Sequence, residues 1–357
     1  MQMRNFDLIS EATSIISIKT INLIFCIHEY RVKQDFYIDA KPNILSNLLT
    51  IAKVQSTTSS NKIEGIYTKE DRINQIVNNK VEPNNRNEEE IAGYRDVLNM
   101  ICENYQNIDI SSNVILQLHR DLYKYTSFSY GGKYKDSQNY IEETLEDGSK
   151  NIRFTPLTPL ETPIAIDELC KNYNEAIKNS DIDPLFVIPV FIHDFVSIHP
   201  FNDGNGRMSR LLTLLLLYKA GYIVGEYISI EKIIEETKER YYESLSNSSV
   251  GWHDNINNYS NFSEYYLEVI LLAYQEFSSK LEYIFNKKTK AIDRVSSLLK
   301  KSIIPINKKY LIGKCPDISE TTIERALNKL LKDKKIKKIS GGCYTKYKWI
   351  ESTNRQN

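Results

Sequence analysis

Two apolar segments of helix length, Pro184 to Ile198 and Leu211 to Tyr218, flank one polar run: His199-Pro200-Phe201-Asn202-Asp203-Gly204-Asn205-Gly206-Arg207-Met208-Ser209-Arg210. Apolar helices of this kind read as core rather than surface, so the chain must supply amphipathic partners to cover them. It has room to do so, because 357 residues suffice for about two or three domains. Hydrophobic residues at 41% and charged residues at 26%, with few Gly and Pro, exclude a disordered or collagen-like chain. The longest apolar stretch, around Leu211 to Tyr218, falls far short of the roughly 20 residues a membrane helix needs.

Helical periodicity recurs along most of the chain. Apolar residues at three- and four-residue spacing predict helices over Ile15 to Ile27 and Ile44 to Val54. Asn78 to Asn87, polar and holding Pro83, reads as a loop before a helix starting near Glu88. Further helices are expected over Ser112 to Tyr123, Leu160 to Ile177, Pro184 to Ile198, Arg207 to Ala220 and Ser263 to Phe285. Asn139 to Thr155 breaks the pattern: it alternates polar and apolar residues around Asp147-Gly148, which predicts either a short hairpin or an ordinary surface connection.

From Ala291 the pattern changes again. A short helix, a second near Asn307 to Ile312, and a third capped by Ser319 with Ile323, Leu327, Leu330 and Leu331 on its buried face precede two strand-like runs. These runs, Ile336 to Ile339 and Cys343 to Ile350, are joined through Ser340-Gly341-Gly342, a winged helix-turn-helix pattern. The expected class is therefore mainly α. The expected divisions are an N-terminal helical region over 1–112, a central domain over 113–260, a connecting helix over 261–290 and the winged domain over 291–357.

Lys plus Arg and Asp plus Glu each total 46, which argues against a chain that wraps a polyanion as a whole. The balance hides an asymmetry: Lys300 to Lys338 holds twelve basic and four acidic residues, a net +8 that leaves −8 on the remainder. The five cysteines are scattered, without C-x-x-C spacing, so neither a disulfide framework nor a zinc knuckle is expected. The N-terminus lacks the apolar run of a signal peptide, and a cytoplasmic location is expected.

The run from His199 to Arg210 carries the chemistry. Gly204-Asn205-Gly206 lets backbone N–H groups converge at a helix start, where they and the helix dipole favour an anion. Arg207 and Arg210, three apart, add positive charge to this cradle and suit a polyphosphate. Asp203 is a hard oxygen ligand fit for Mg²⁺ bridging phosphate oxygens, and His199 is placed to take a proton from an attacking hydroxyl. A metal site using His193 and His199 fares worse, because six helical positions turn the rings onto different faces. His193 is expected to pack or hydrogen-bond, and His28, His119 and His253 have no ligand-spaced partners.

This run resembles the Fic-family signature at every specified position, and the resemblance extends from about Glu88 to Tyr266. It implies a helical bundle with a small β-hairpin flap that transfers AMP from ATP, with Mg²⁺, to a Tyr, Thr or Ser hydroxyl of a target protein. By that resemblance His199 is the base and Asp203 the metal ligand, while Gly204, Asn205 and Gly206 form the anion hole. Arg207 would stabilise the transferring phosphates, and Arg210 would hold the γ-phosphate. Tyr242, of the pair Tyr241-Tyr242, would contact the nucleotide, core packing being the alternative. Ser60-Asn61-Lys62-Ile63-Glu64-Gly65 resembles the family's inhibitory motif, in which Glu64 would compete for Arg210. A carboxylate at a helix end opposes the dipole, so Glu64 calls for a cationic partner.

Other readings stay open from the sequence: removal of AMP from modified proteins, transfer of another phosphate-containing group, or a nucleotide-sensing DNA-binding protein. In the last, the third helix of the tail would present Thr322, Arg325 and Lys329 to a groove. The alternative for the tail is assembly or target docking, and self-association is left open.

Overall fold

The computed structural model describes residues 4–350 apart from 41, 129, 145–148, 179–180, 289–290, 303–304, 316–317 and 340–344. The chain divides into two compact units, Met1–Ser278 and Ser279–Asn357. The limits expected at 112/113 and 260/261 fall inside the first unit, and that at 290/291 falls inside the second.

The first unit is helical apart from one hairpin. Its elements are α1 (Leu8–Ser14), α2 (Ile18–Ala40), α3 (Pro42–Ile63), α4 (Glu70–Val77), α5 (Arg86–Asn104), α6 (Ser112–Leu122), β1 (Ile141–Thr144), β2 (Lys150–Phe154), α7 (Thr162–Lys178), α8 (Pro184–Ile198), α9 (Asn205–Lys219), α10 (Ile230–Glu236), α11 (Lys238–Ser249) and the first part of α12 (Ser260–Lys288). Asp183 caps α8 by accepting from the Leu185 N–H, with Pro184 at the first helical position, where its missing N–H costs nothing. Apart from the half-buried Pro184 and Val196, every residue of α8 is buried, as its mostly apolar sequence requires, with His193, Asp194 and Ser197 as buried polar exceptions. It packs on α1, α7 and α9, and α5 covers α9 from another side.

Several helix boundaries differ from the sequence reading, among them the start of α12 at Ser260 instead of Ser263. Helix α9 starts at Asn205 instead of Arg207, because Gly204 adopts φ +83° and serves as the N-cap, drawing Asn205 and Gly206 into the first turn. Helix α2 begins at Ile18 and continues to Ala40. Helix α3 runs on to Ile63, well past Val54, through the polar stretch Gln55 to Asn61.

The hairpin exists: β1 and β2 pair antiparallel, Glu142 opposite Ile152 and Thr144 opposite Lys150, with an irregularity beside Ile141. Its turn at Asp147-Gly148 lies outside the described residues. No single helix among the described residues is long and apolar enough to cross a membrane, although the bent pair Leu8–Ser14 and Ile18–Gln34 meets the length and composition test together.

The second unit contains α13 (Ala291–Lys301), α14 (Lys308–Lys314) and α15 (Glu320–Lys332), with strands β3 (Ile306–Asn307), β4 (Ile336–Lys338) and β5 (Lys346–Trp349) in the antiparallel order β3-β5-β4. Strand β3 was not expected. Ser319 caps α15 and Asn307 caps α14, each accepting a first-turn N–H. Val295, Leu299, Ile306, Leu311, Ile323, Leu327, Leu330 and Ile336 form the core, with Tyr347 and Trp349 against it. The link Ser340-Gly341-Gly342 and Cys343 lie outside the described residues.

Candidate active site

His199 is the C-cap of α8 and adopts a left-handed conformation, φ 51° and ψ 63°, unusual for a residue with a Cβ. The segment is held from outside. Asn139 Nδ2 donates to the carbonyls of His199 (3.3 Å) and Phe201 (2.9 Å), and the buried Lys135 Nζ donates to the Ile198 carbonyl (3.1 Å) and to Asn139 Oδ1 (2.9 Å). Asn205 closes the turn internally: its Oδ1 accepts from the Phe201 N–H and its Nδ2 donates to the Phe201 carbonyl. His199 Nδ1 lies 3.2 Å from the Val196 carbonyl, so Nδ1 carries the proton and Nε2 is left as the acceptor. Burial pushes the imidazole pKa down to about 4, and the nearby Lys135 adds to the effect. His199 is therefore neutral at pH 7 and able to accept a proton.

Below this turn His119 supports the loop. Its Nδ1 accepts from the Gly132 N–H at 3.0 Å, so Nε2–H donates to the Asp203 carbonyl at 3.1 Å, and its ring stacks on Phe201 with centroids 3.6 Å apart. Asp203 Oδ1 accepts from the Gly204 N–H at 2.6 Å, while its side chain stays half-exposed at the edge of the cradle. Among the described residues no group of three His, Cys, Asp or Glu side chains is placed to hold a metal alone.

No side chain caps the start of α9, so the first-turn N–H groups of Asn205 and Gly206 form an uncapped anion-binding end. A carboxylate sits over it. Glu64 Oε1 lies 2.8 Å from Arg210 Nη2, and a Cβ built at Gly206 would collide with that same oxygen. Arg210 is also gripped by the end of α3: Nε donates to Ser60 Oγ and Nη2 to the Ser60 carbonyl, both at 2.8 Å. Burial works against the Arg210 charge, but Glu64 together with the Tyr241 and Tyr94 phenols more than offsets it and holds the guanidinium above its ordinary pKa. The end of α3 is fixed by Lys238 of α11, whose Nζ donates to the Ile63 carbonyl at 2.8 Å, and by the Lys62–Glu235 ion pair.

Arg207 turns to different partners. Its buried guanidinium lies 2.7 Å from Glu90 Oε2 on α5 and donates to the Tyr123 hydroxyl at 2.6 Å, with Asp203 at 3.8 Å. The two arginines thus have different carboxylate partners: Glu90 holds one and Glu64 the other. Tyr242 is half-buried between Arg153 of β2 and Lys238, whose charges lie 5.6 and 5.7 Å from its ring centre. Burial and then the charge of Glu64 push its phenol up, so Tyr242 is on the Glu64 side of the site. Tyr241 is buried beside Arg210. His193 is buried near the Leu245 carbonyl and Ser249, remote in role from the loop.

Residues 109–217 match the Fic/DOC family. The chain is 35% identical over 114 residues to a Fido domain-containing protein of Dictyostelium discoideum, covering 77% of that protein and 31% of this one. The chain belongs to the Fic/DOC family. It is also 25% identical over 197 residues to a protein named protein adenylyltransferase Fic from Drosophila melanogaster, 54% of this chain but 36% of that one. The chain thus spans little more than a third of that relative's length. A Fic family protein from Desulfovibrio desulfuricans shares the fold over 95% of this chain and 98% of its own, with a TM-score of 0.62 at 19% identity. A Fic domain containing signaling protein from Bacteroides thetaiotaomicron covers 70% of this chain and 95% of its own, with a TM-score of 0.59 at 22% identity.

Within the first unit the folded chain brings together His199, Asp203, Gly204, Asn205, Gly206, Arg207, Arg210, Glu64 and Tyr242, of which Glu64 and Tyr242 lie outside the matched residues 109–217. Residues that sequence reasoning missed are Ser60 as a ligand of Arg210, Glu90 and Tyr123 as holders of Arg207, and Lys135, Asn139 and His119 as supports of the loop. His119 was dismissed for want of a ligand-spaced partner, yet its partners are backbone groups, which no residue spacing reveals.

Proposed function

We propose that this chain is a protein adenylyltransferase that moves AMP from ATP to a Tyr, Thr or Ser hydroxyl of a target protein and of itself, held in check by Glu64. The observation that carries the reading is the Glu64 carboxylate lodged against Gly206 and Arg210: an anion already fills an end built for one. The names of the Drosophila relatives support the same chemistry. Neutral His199 Nε2 accepts the proton of the attacking hydroxyl, whose oxygen bonds to the α-phosphorus as pyrophosphate leaves. The amides of Gly204, Asn205 and Gly206 stabilise the charge on the transferring phosphates, and Arg210, once freed, holds the γ-phosphate.

Mg²⁺ fits this site through Asp203, since the ion commonly takes one or two carboxylates and fills its remaining positions with phosphate oxygens and water. When bound it neutralises charge on the phosphates. Tyr242 flanks the nucleotide, and the β1–β2 hairpin pairs with an extended target segment. The second unit reads as a winged helix-turn-helix.

The deciding experiment incubates the protein with labelled ATP, Mg²⁺ and cell lysate and reads modified peptides by mass spectrometry. AMP on hydroxyl side chains, absent with His199→Ala, is the expected result. Label that arrives as phosphate, or label unaffected by His199→Ala, overturns the proposal.

A further inference from the structure

The second unit has a charged surface that the adenylyl-transfer reading does not use. Its core is apolar, and although Arg294 is buried, Lys309, Arg325, Lys329, Lys332, Lys346 and Lys348 are exposed. Helix α15 carries two carboxylates in its first turns, Glu320 and Glu324, and both are engaged by Lys308 of α14, at 2.8 and 2.7 Å. They lie on one flank. The outward stripe at positions i, i+4, i+7 and i+11 is Thr321, Arg325, Asn328 and Lys332, all exposed, with Lys329 beside it and no acid among them. Thr322, expected from the sequence to face outward, instead turns its hydroxyl to Ser319 at the cap, 2.8 Å away.

The sheet adds a second cationic surface. Along β5, Tyr347 and Trp349 face the core while Lys346 and Lys348 are exposed. Lys337 of β4 lies directly opposite Lys348. Like charges opposed across a strand pair destabilise the pairing, a cost that a polyanion alongside would relieve. A cleft lined by Lys308, Lys309, Asn328, Thr345 and Tyr347, with Glu324 its one acid and paired to Lys308, adjoins both surfaces, and α15 leads into β4 through only Asp333, Lys334 and Lys335.

We propose that the second unit binds double-stranded DNA, with α15 in the major groove and the lysines of β4 and β5 on the phosphates. An α-helix, about 10–12 Å across with its side chains, fits a B-form major groove roughly 12 Å wide, whereas the deep, narrow groove of duplex RNA does not admit a helix. Arg325 and Asn328 are the side-chain types that read guanine and adenine edges bidentately. Lys337, Lys346 and Lys348 supply contacts without sequence preference.

The full chain is titrated against a fluorescent duplex of about 25 base pairs while salt is varied between roughly 50 and 200 mM, with duplex RNA of the same sequence in parallel. The expected result is binding to DNA whose log affinity falls linearly with log salt. Lys337→Gln, Lys346→Gln and Lys348→Gln together should reduce that slope by about three and weaken all sequences alike. Arg325→Ala should leave the slope within about one unit and change the sequences retained from a randomised duplex pool. Far-ultraviolet circular dichroism checks that each variant is folded, as substitutions at exposed positions permit. No DNA binding at the lowest salt, equal binding to duplex RNA, or binding indifferent to the lysine substitutions overturns the proposal.

Discussion

Glu64 and Arg210 meet at 2.8 Å although 146 residues separate them in the chain. The pair joins the end of α3 to the second turn of α9, and Ser60 grips the same guanidinium from one helical turn earlier. Inhibition on this reading is a competition for one cation between a carboxylate and a phosphate.

Glu64→Gly should raise self-modification more than tenfold, each ~1.4 kcal/mol of misalignment removed being a factor of ten. Adding Arg210→Ala should abolish the gain, because the freed cation is what the first change exposes. Transfer that stays at the parental level in Glu64→Gly, with ATP binding intact, would leave Glu64 as a helix end only.

His199→Ala in the Glu64→Gly background should lower transfer by about 10²- to 10⁴-fold with ATP affinity retained. The pH profile carries the same point. With the His199 pKa held down to about 4, its Nε2 is unprotonated through the neutral range, so the acid limb of kcat/KM should lie near that value. A limb near the ordinary histidine value of about 6.5 would contradict the assignment.

Asn139→Ala removes two hydrogen bonds to the carbonyls that hold His199 left-handed, a conformation costing on the order of 1–3 kcal/mol. The expected outcome is a kcat lower by about tenfold or more with an unchanged KM for ATP. A rise in KM with kcat preserved would move Asn139 into nucleotide binding.

Glu90→Ala leaves the buried Arg207 guanidinium without its carboxylate, and breaking such a pair costs about 3–5 kcal/mol. Thermal melting should show a Tm lower by roughly 10 °C. A shift of a degree or two would show that Tyr123 and Asp203 suffice for Arg207.

Acid should weaken the fold early. Burial pushes His119 down to about 4 and His193 down to about 3, so between pH 6.5 and those values the unfolded chain binds protons the native one refuses. Each contributes a loss of up to about 1.4 kcal/mol per pH unit as pH falls through that window. Asp194, raised by burial, offsets part of this. Urea unfolding at pH 7 and pH 5 measures it, and equal midpoints would refute it.

The parts of the fold legible in the sequence are those written locally. Helix α8 is mostly apolar between Asp183 and His199, and Gly204 and Gly206 mark the turn without reference to anything distant. The second half of α3 was hidden because Ser56, Thr57, Ser59, Ser60 and Asn61 are buried polar residues, poor helix formers with no apolar period. Their reasons lie elsewhere in the chain: Ser56 Oγ bonds Ser229 Oγ at 3.0 Å, and Ser60 meets Arg210. Glu90 likewise reads as a surface acid near a helix start until Arg207 is folded against it. Strand β3, two residues long, is too short for an alternation to register.

The collision at Gly206 has a consequence for how this site can change over generations. A side chain at 206 and a carboxylate at 64 claim the same volume, so the two positions are not free to drift separately. The acid keeps its present seat only against a bare backbone, because a side chain at 206 would displace its carboxylate. A lineage that loses the acid has room for a side chain at the head of α9.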